Sequence, residues 1–307
     1  MTLGRFGLRR KEYDFPPYRP PSEAESLLLR VTRGCPWNKC TFCSMYKTTK
    51  FEIRDLEEIE GDVELAKELY SERVRTVFIG DSNSLVVKTD LLVAVLNSLY
   101  AAFPKVERVT SYARAKTLAK KSIDDLKRLR EAGLTRLHVG LETGDRDLLK
   151  EIAKGATPEE MVEAGRKAKA AGFEYSLYVL LGIGGQEKWQ EHARGTAEVL
   201  NQIDPHFIRV RTFLPQPGSR LYEDMIAGCF QTPSPETILR ETKLLLEGLR
   251  VTSQFLSDHI SNLLPLHGKL PEEKEKMIRM IEDALTRFKD DAGLREEMEM
   301  RRQLTNL

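Results

Sequence analysis

The chain has 307 residues, of which 41% are hydrophobic and 31% are charged, and its formal net charge is +1 at pH 7. This composition allows one barrel-sized α/β domain with an appendage and excludes a disordered chain. The near-zero net charge argues against nucleic acid as a partner. No stretch approaches 18 apolar residues and the amino terminus lacks a signal-peptide core, so we expect no membrane contact and a soluble, cytoplasmic protein.

Short β-rich runs alternate with amphipathic helical stretches, a pattern typical of βα units and a parallel sheet. The six predicted strands cover residues 27–32, 75–79, 108–112, 136–141, 175–181 and 207–213. The five predicted helices cover residues 56–70, 89–103, 122–132, 157–171 and 186–202. Ser122 and Thr157 begin two of these helices with the capping-box pattern. Six such units predict a partial (β/α)6 TIM-type barrel, in which chemistry gathers at the carboxyl ends of the strands.

Three regions are predicted along the chain. Residues 1–24 are rich in proline and indicate an extended arm that wraps the barrel. Residues 25–225 form the predicted barrel. Residues 226–307 predict a mixed, mainly helical extension that covers the barrel mouth. Within this extension we expect helices over 235–250 and 271–289, a short β-like run over 251–256 and a charged, fraying tail.

Three of the four cysteines, Cys35, Cys40 and Cys43, fall within nine residues directly after the first predicted strand. Thiolates this close converge on one point, and sulfur ligands select zinc, copper(I) or iron–sulfur clusters. A structural zinc site is closed by four ligands, yet the next histidine is His138 and the remaining cysteine is Cys229, which we expect to be buried. Three thiolates therefore favour a four-iron cluster with one open iron. A zinc-stabilised nucleic-acid-binding module without catalysis is the alternative.

This cysteine loop resembles that of the radical S-adenosylmethionine (radical SAM) superfamily, whose fourth iron binds the amino and carboxylate groups of SAM. The family spacing is usually three residues and then two, whereas here it is four and then two, with Phe42 kept before the third cysteine. The resemblance covers roughly residues 25 to 225. It implies a [4Fe-4S] cluster on Cys35, Cys40 and Cys43, reductive cleavage of SAM and hydrogen abstraction from a small-molecule substrate. It also implies a low-potential electron donor such as flavodoxin or ferredoxin.

The ends of the second and third predicted strands carry glycine and polar residues. Gly80, Asp81 and Ser82 resemble the family's glycine-rich motif, which contacts the amino group of SAM; an ordinary βα turn is the alternative. Arg114, with Ser111 beside it, is a candidate for binding the SAM carboxylate, because an arginine can form a forked pair with a carboxylate. A solvated basic loop is the alternative there.

The next three strands carry further candidates. Glu142 ends the fourth strand in a segment that resembles the family's ribose-binding strand, and a carboxylate can accept two hydrogen bonds from a cis-diol. Ile183, among glycines after the fifth strand, resembles the segment that flanks adenine. Arg209 and Arg211 lie on one face of the sixth strand. Inward arginines are costly unless paired, so we predict that they bind the SAM carboxylate or an anionic substrate, with pairing to Glu142 as the alternative.

The segment over 257–269 is unusually polar and follows the β-like run, so we expect it to cover the barrel mouth and face the substrate. Asp258 and His259 are predicted to act as an acid–base pair; a cap or a core hydrogen bond is the alternative for this histidine. The arginine-bearing interior favours a small polar or anionic metabolite, with a nucleotide or modified nucleoside among the candidates.

Overall fold

The structure is a computed structural model that describes residues 18–70 and 73–302. Most of the predicted arm lies outside these residues, and its described end is a 3-10 turn at Pro21–Glu23. None of the described helices is both long and apolar enough to cross a membrane.

The strands of the described chain are numbered in chain order. Their bounds are β1 Leu27–Arg30, β2 Thr32–Arg33, β3 Glu52–Ile53, β4 Thr76–Gly80, β5 Arg108–Ala113, β6 Leu134–Glu142, β7 Glu174–Leu181, β8 Phe207–Thr212, β9 Gln254–Leu256 and β10 His267–Lys269. Within the described residues, one sheet has the order β1-β4-β5-β6-β7-β8-β9-β10, and β2 and β3 form a separate ribbon. All neighbours from β1 to β9 are parallel. The predicted α/β fold with a partial barrel is confirmed, since the end strands β1 and β10 do not pair with each other across the described chain.

The helices of the described chain are also numbered in order. Their bounds are α1 Leu56–Tyr70, α2 Thr89–Ala102, α3 Ala115–Lys120, α4 Ile123–Glu131, α5 Arg146–Glu151, α6 Pro158–Ala170, α7 Trp189–Ile203, α8 Arg220–Ile226, α9 Pro235–Gly248, α10 Lys274–Asp290 and α11 Ala292–Arg302. The two predicted caps are confirmed: the hydroxyl of Ser122 accepts from the backbone N–H of Asp125, and Thr157 and Glu160 form a reciprocal capping box. These side chains satisfy backbone donors that a helix start otherwise leaves unpaired.

Two features of the carboxy-terminal region differ from expectation. The β-like run continues the main sheet, because β9 pairs in parallel with β8 and its central residue Phe255 is fully buried. The tail forms α11 through residue 302 instead of fraying, and Met298 on that helix is buried while Arg301 donates to the carbonyl of Asn262. Packing against distant parts of the chain stabilises both elements, which local sequence preference does not reveal.

Successive side chains along each strand point alternately to the outer hydrophobic core and to the barrel interior. Outward residues such as Leu137, Val139 and Leu141 of β6 are fully buried and belong to the main hydrophobic core, while the residues between them face the barrel interior. The interior is aromatic and polar. Inward rings from four neighbouring strands, with adjacent centroids 5.0 to 6.3 Å apart, are Phe78, Tyr112, His138 and Tyr178.

The amino ends of the strands are linked by the buried carboxylate of Glu23. It lies 3.1 Å from Nε2 of His138 and 3.3 Å from a guanidinium nitrogen of Arg108, and it accepts a 2.8 Å bond from the hydroxyl of Ser26. Burial alone would raise the pKa of Glu23, but the bonds from His138 and Ser26 and the charges of His138 and Arg108 lower it to about 2. One side chain from the amino-terminal turn therefore ties two barrel strands together.

Candidate metal and cofactor site

The cysteine loop, residues 34–50, leaves the barrel between β2 and β3, whose antiparallel pairing closes its base. At its first residue, the backbone N–H of Gly34 donates to the carboxylate of Asp81 at 3.0 Å, and the hydroxyl of Ser82 donates to the carbonyl of Gly34 at 3.0 Å. Asp81 also pairs with Arg30 at 2.6 Å. Burial raises the pKa of Asp81, although Arg30 and the Gly34 N–H oppose that shift. Asp81 and Ser82 thus hold the base of the loop.

The three cysteines of this loop are partly buried. The backbone N–H of Asn38 donates to Sγ of Cys35 at 3.4 Å, and the amide of Asn38 donates to the carbonyl of Tyr46 at 2.7 Å. Burial raises the pKa of the Cys40 thiol and raises that of Cys43 to about 11. Both thiols must therefore lose a proton when they bind a metal, and that release makes loading depend on pH.

The donor set fits an iron–sulfur cluster. Iron–sulfur clusters are held by cysteine thiolates, and Cys35, Cys40 and Cys43 are all free thiols on this one loop. Beside burial, the charges of Lys154 and Arg114 lower the pKa of Cys40, whereas those of Glu142 and Cys35 raise it.

Trp37, inside the loop, anchors it to a turn at residues 153–155, here called the anchoring turn. The indole Nε1 donates to the carbonyl of Ala153 at 2.8 Å, and the guanidinium of Arg114 lies 5.0 Å from the ring centroid. A side chain at Gly155 would collide with this ring, since an added Cβ would lie 2.4 Å from a ring carbon. This contact was not predicted from the sequence. The one indication of it was the large aromatic Trp37 within the unusually long gap between Cys35 and Cys40.

Glu142 and Arg114 meet at the same turn. The carboxylate of Glu142 pairs with Nζ of Lys154 at 2.6 Å, and the guanidinium of Arg114 donates to the carbonyl of Lys154 at 2.9 Å. Glu142 has a φ of 63° at a break in the β6–β7 register. The partner that sequence reasoning considered for Glu142 was an arginine; the structure supplies Lys154 instead.

Phe42 and Ile183 belong to a small apolar cluster beside the loop. Ile183 is buried together with Leu148, Ile152 and Phe213, and Phe42 packs against this group. The turn that carries Ile183 is held from below, because the backbone N–H of Gly182 donates to both oxygens of the buried Glu241, at 2.9 and 3.0 Å. Glu241 in turn lies 3.1 Å from the buried His192. Neither Glu241 nor His192 stood out in the sequence.

The carboxy-terminal candidates form other contacts than those expected. Asp258 pairs with Arg209 at 2.7 Å, and Nδ1 of His259 lies 2.8 Å from the hydroxyl of Ser261 and accepts its backbone N–H at 3.2 Å. Asp258 and His259 are therefore engaged with different partners. Burial and the charge of Arg211 lower the pKa of His259 to about 4, against the opposing charge of Asp258. The imidazole is consequently neutral near pH 7.

Ser111 and Cys229, the two further residues considered in the sequence, are respectively fully buried and exposed. Ser111 is fully buried, and its hydroxyl lies 3.0 and 3.1 Å from the carbonyls of Ile79 and Tyr112, so it stabilises neighbouring strands. The expectation that Cys229 is buried is wrong, because this residue is exposed. It follows Gly228, whose positive φ of 74° ends α8 and turns the chain across the surface.

Comparison with known proteins agrees with this arrangement. The sequence profile described as Radical SAM superfamily matches residues 29–194. The heme chaperone HemW of Bacillus subtilis is 27% identical over 165 residues, which cover 53% of this chain and 43% of HemW. Biotin synthase of Corynebacterium glutamicum (strain R) is 27% identical over 233 residues, covering 71% of this chain and 65% of that protein. The chain thus spans about two fifths to two thirds of the length of these relatives.

Solved structures show the same fold. Coproporphyrinogen III oxidase (HemN) from Escherichia coli superposes with a TM-score of 0.54 at 16% identity, covering 72% of this chain and 52% of HemN. Methylornithine synthase (PylB) superposes with a TM-score of 0.52 at 18% identity, covering 84% of this chain and 81% of PylB.

The profile covers more than half of the 307 residues and includes the cysteine loop, and the chain belongs to the radical SAM superfamily. Members of this superfamily use a [4Fe-4S] cluster and SAM, and they include enzymes such as biotin synthase.

Proposed function

We propose that this protein is a radical SAM enzyme that cleaves SAM reductively and removes a hydrogen atom from a small polar or anionic metabolite, with a nucleotide or modified nucleoside among the candidates. The observation that carries this proposal is the anchoring turn. It joins the loop of Cys35, Cys40 and Cys43, through Trp37, to the strand-end residues Arg114 and Glu142. Chelating thiols and two charged groups are thus held at one edge of the barrel.

The cysteines would hold the cluster, which when bound supplies the electron for SAM cleavage and so the oxidant for hydrogen abstraction. Arg114 would bind the SAM carboxylate and Glu142 its ribose hydroxyls. Ile183 and Phe42 would flank the adenine. Asp81 and Ser82, with Gly80, would act by positioning the loop, in addition to the predicted contact with the SAM amino group. A low-potential donor such as flavodoxin or ferredoxin would supply electrons, and we place the protein in the reducing cytoplasm.

Residues 226–302, the described part of the carboxy-terminal extension, would complete the active site over the barrel mouth. Asp258 would hold Arg209 toward the substrate through their 2.7 Å ion pair. His259 would contribute a neutral imidazole beside Arg211. Asp258 and His259 remain our candidates for moving a proton. Asp258 would act while paired with Arg209, and His259 while in contact with Ser261.

Anaerobic reconstitution tests the cluster assignment. Wild-type protein should load about four irons and four sulfides per chain, and replacing Cys35, Cys40 and Cys43 together by Ala should abolish the brown absorbance. The matched control is Cys229→Ala, because this exposed cysteine should leave the iron content unchanged. Stoichiometric zinc in the wild-type protein would favour the zinc-stabilised nucleic-acid-binding alternative instead. Reduction with dithionite in the presence of SAM should then yield methionine and 5′-deoxyadenosine.

A further inference from the structure

Buried polar atoms without a hydrogen-bond partner gather inside the barrel. Among the described residues, inward-facing atoms of this kind on β5 to β8 include Oγ1 of Thr110, Nδ1 of His138, Oγ of Ser176, Oη of Tyr178, Nε of Arg209 and Nε of Arg211. We call these six residues the barrel cup. Buried polar groups in folded proteins nearly always have a partner. Six such atoms on four adjacent strands indicate an interior built to surround a polar ligand.

The charges of the cup do not balance. Arg209 is paired with Asp258 at 2.7 Å, and Glu142 above it is paired with Lys154 at 2.6 Å. Arg211 has no carboxylate within ion-pair distance in the part of the chain that the structure describes, and its guanidinium lies 5.6 Å from the centroid of the Tyr178 ring. One positive charge in the cup is therefore uncompensated, and a partly buried cation of this kind favours an anion.

Arg211 is also held in place by the carboxy-terminal segment. The backbone N–H of Thr212 donates to the side-chain oxygen of Asn262 at 2.8 Å, and the amide of Asn262 donates to the carbonyl of Val210 at 2.8 Å. The residues before and after Arg211 are thus fixed by one buried side chain. The backbone from which the Arg211 side chain extends is therefore already ordered, which reduces the ordering that remains when a ligand arrives.

We propose that Arg211, with the hydroxyl of Tyr178, binds an oxyanion of the substrate, a carboxylate or a phosphate, inside the barrel. This inference rests on the proposed function and specifies its substrate class. The planar guanidinium can donate two parallel hydrogen bonds to either oxyanion, and the tyrosine hydroxyl adds a third donor. Arg209, already held by Asp258, would line the same site without supplying its net charge.

Matched small probes test the site in the reconstituted holoenzyme. Acetate and inorganic phosphate are titrated by calorimetry, with acetamide as the neutral counterpart of acetate, in the presence of saturating SAM. We expect at least one oxyanion to bind wild-type protein and acetamide not to bind. The oxyanion that binds more tightly identifies a carboxylate or a phosphate as the preferred group.

Substitutions then assign the binding to Arg211. Arg211→Gln should weaken oxyanion binding roughly tenfold to a hundredfold, the range for losing hydrogen bonds to a charged group, and Arg211→Lys should retain part of it. Arg194→Gln is the control, since Arg194 is exposed on α7. Equal oxyanion affinity in Arg211→Gln and wild type would overturn the inference, as would equal affinity for acetamide and acetate.

Three outcomes separate this inference from the proposed function. If oxyanions bind only without SAM, Arg211 serves the SAM carboxylate and the substrate assignment is wrong. If wild-type protein loads iron and cleaves SAM but binds no oxyanion, the inference fails while the proposed function stands. If it loads no iron, the proposed function fails. Should Arg211→Gln not fold, Arg211→Lys and Tyr178→Phe decide the question, because weaker oxyanion binding in both supports the site and unchanged binding in both overturns it.

Discussion

Among single residues, Glu142 has both a charged side chain at the candidate site and an unfavourable backbone conformation. Its φ of 63° lies in the left-handed region, which costs a non-glycine residue of order 1 to 3 kcal/mol. The conformation turns its carboxylate toward Lys154 on the anchoring turn. Strain of this kind persists only when the surroundings enforce it, and it is concentrated at functional sites.

Replacing this carboxylate tests its role in SAM binding. Glu142→Gln keeps the shape of the side chain but removes its charge, so we expect SAM affinity to fall by ~1.5 to 3 kcal/mol. Anaerobic calorimetry on reconstituted protein measures the change. Glu198→Gln is the control, because Glu198 is exposed on α7. Wild-type affinity in Glu142→Gln would show that the ribose hydroxyls are bound elsewhere.

At the scale of an element, the cysteine loop depends on one aromatic contact with the anchoring turn. Gly155 has a φ of 72°, and a side chain there would overlap the Trp37 ring. The backbone N–H of Thr41 also donates to the carbonyl of Ile152 at 3.0 Å. Together with the hydrogen bond from Trp37 to the carbonyl of Ala153, these contacts hold the loop against the chain that follows α5.

Enlarging Gly155 should displace the loop. Gly155→Ala should lower stability by about 1 to 3 kcal/mol, because it adds strain and overlap with Trp37, and should reduce iron retention after gel filtration. Gly228→Ala is the matched control, since Gly228 has a similar φ of 74° but no atom within 4 Å of an added Cβ.

A double substitution separates the contact with Trp37 from the backbone effect. In a Trp37→Ala background, Gly155→Ala should cost no more than Gly228→Ala does, because the overlap is gone and only the backbone strain remains. Equal loss of stability in both backgrounds would show that Trp37 does not position the loop through Gly155.

At the scale of the whole molecule, the Glu23 carboxylate links the amino-terminal turn to β5 and β6 through Arg108 and His138. The pKa of Glu23 is lowered from 4.5 to about 2. A carboxylate with a depressed pKa in the folded state contributes stability above its ordinary pKa. That contribution is lost as the pH falls from about 4.5 toward 2.

The contribution of the Glu23 carboxylate is fully present at neutral pH, above its ordinary pKa. Urea unfolding between pH 2 and 7 should therefore show a smaller difference between wild type and Glu23→Gln at low pH than at pH 7. Glu68→Gln controls for the loss of an exposed carboxylate. A difference that stays constant over this range would show that Glu23 stabilises the fold by packing alone.

The parallel βα order, the helix caps and the cysteine loop were all predictable from local sequence. Hydrophobic periodicity and capping depend on residues a few positions apart, so the six predicted strands form within two residues of their expected bounds. The thiols Cys35, Cys40 and Cys43 are close in the chain, and their spacing alone limits the chemistry they can support.

The pairing of charged side chains was not predictable from the sequence. Glu142 pairs with Lys154, not with an arginine, and Arg209 pairs with Asp258. The position of Trp37 against Gly155 and the addition of β9 to the sheet likewise depend on contacts between segments distant in the chain. Periodicity shows which face of a strand a side chain occupies, but the partner across the barrel depends on strand register and loop path. Those are set by the packing of the whole sheet, which no local pattern contains.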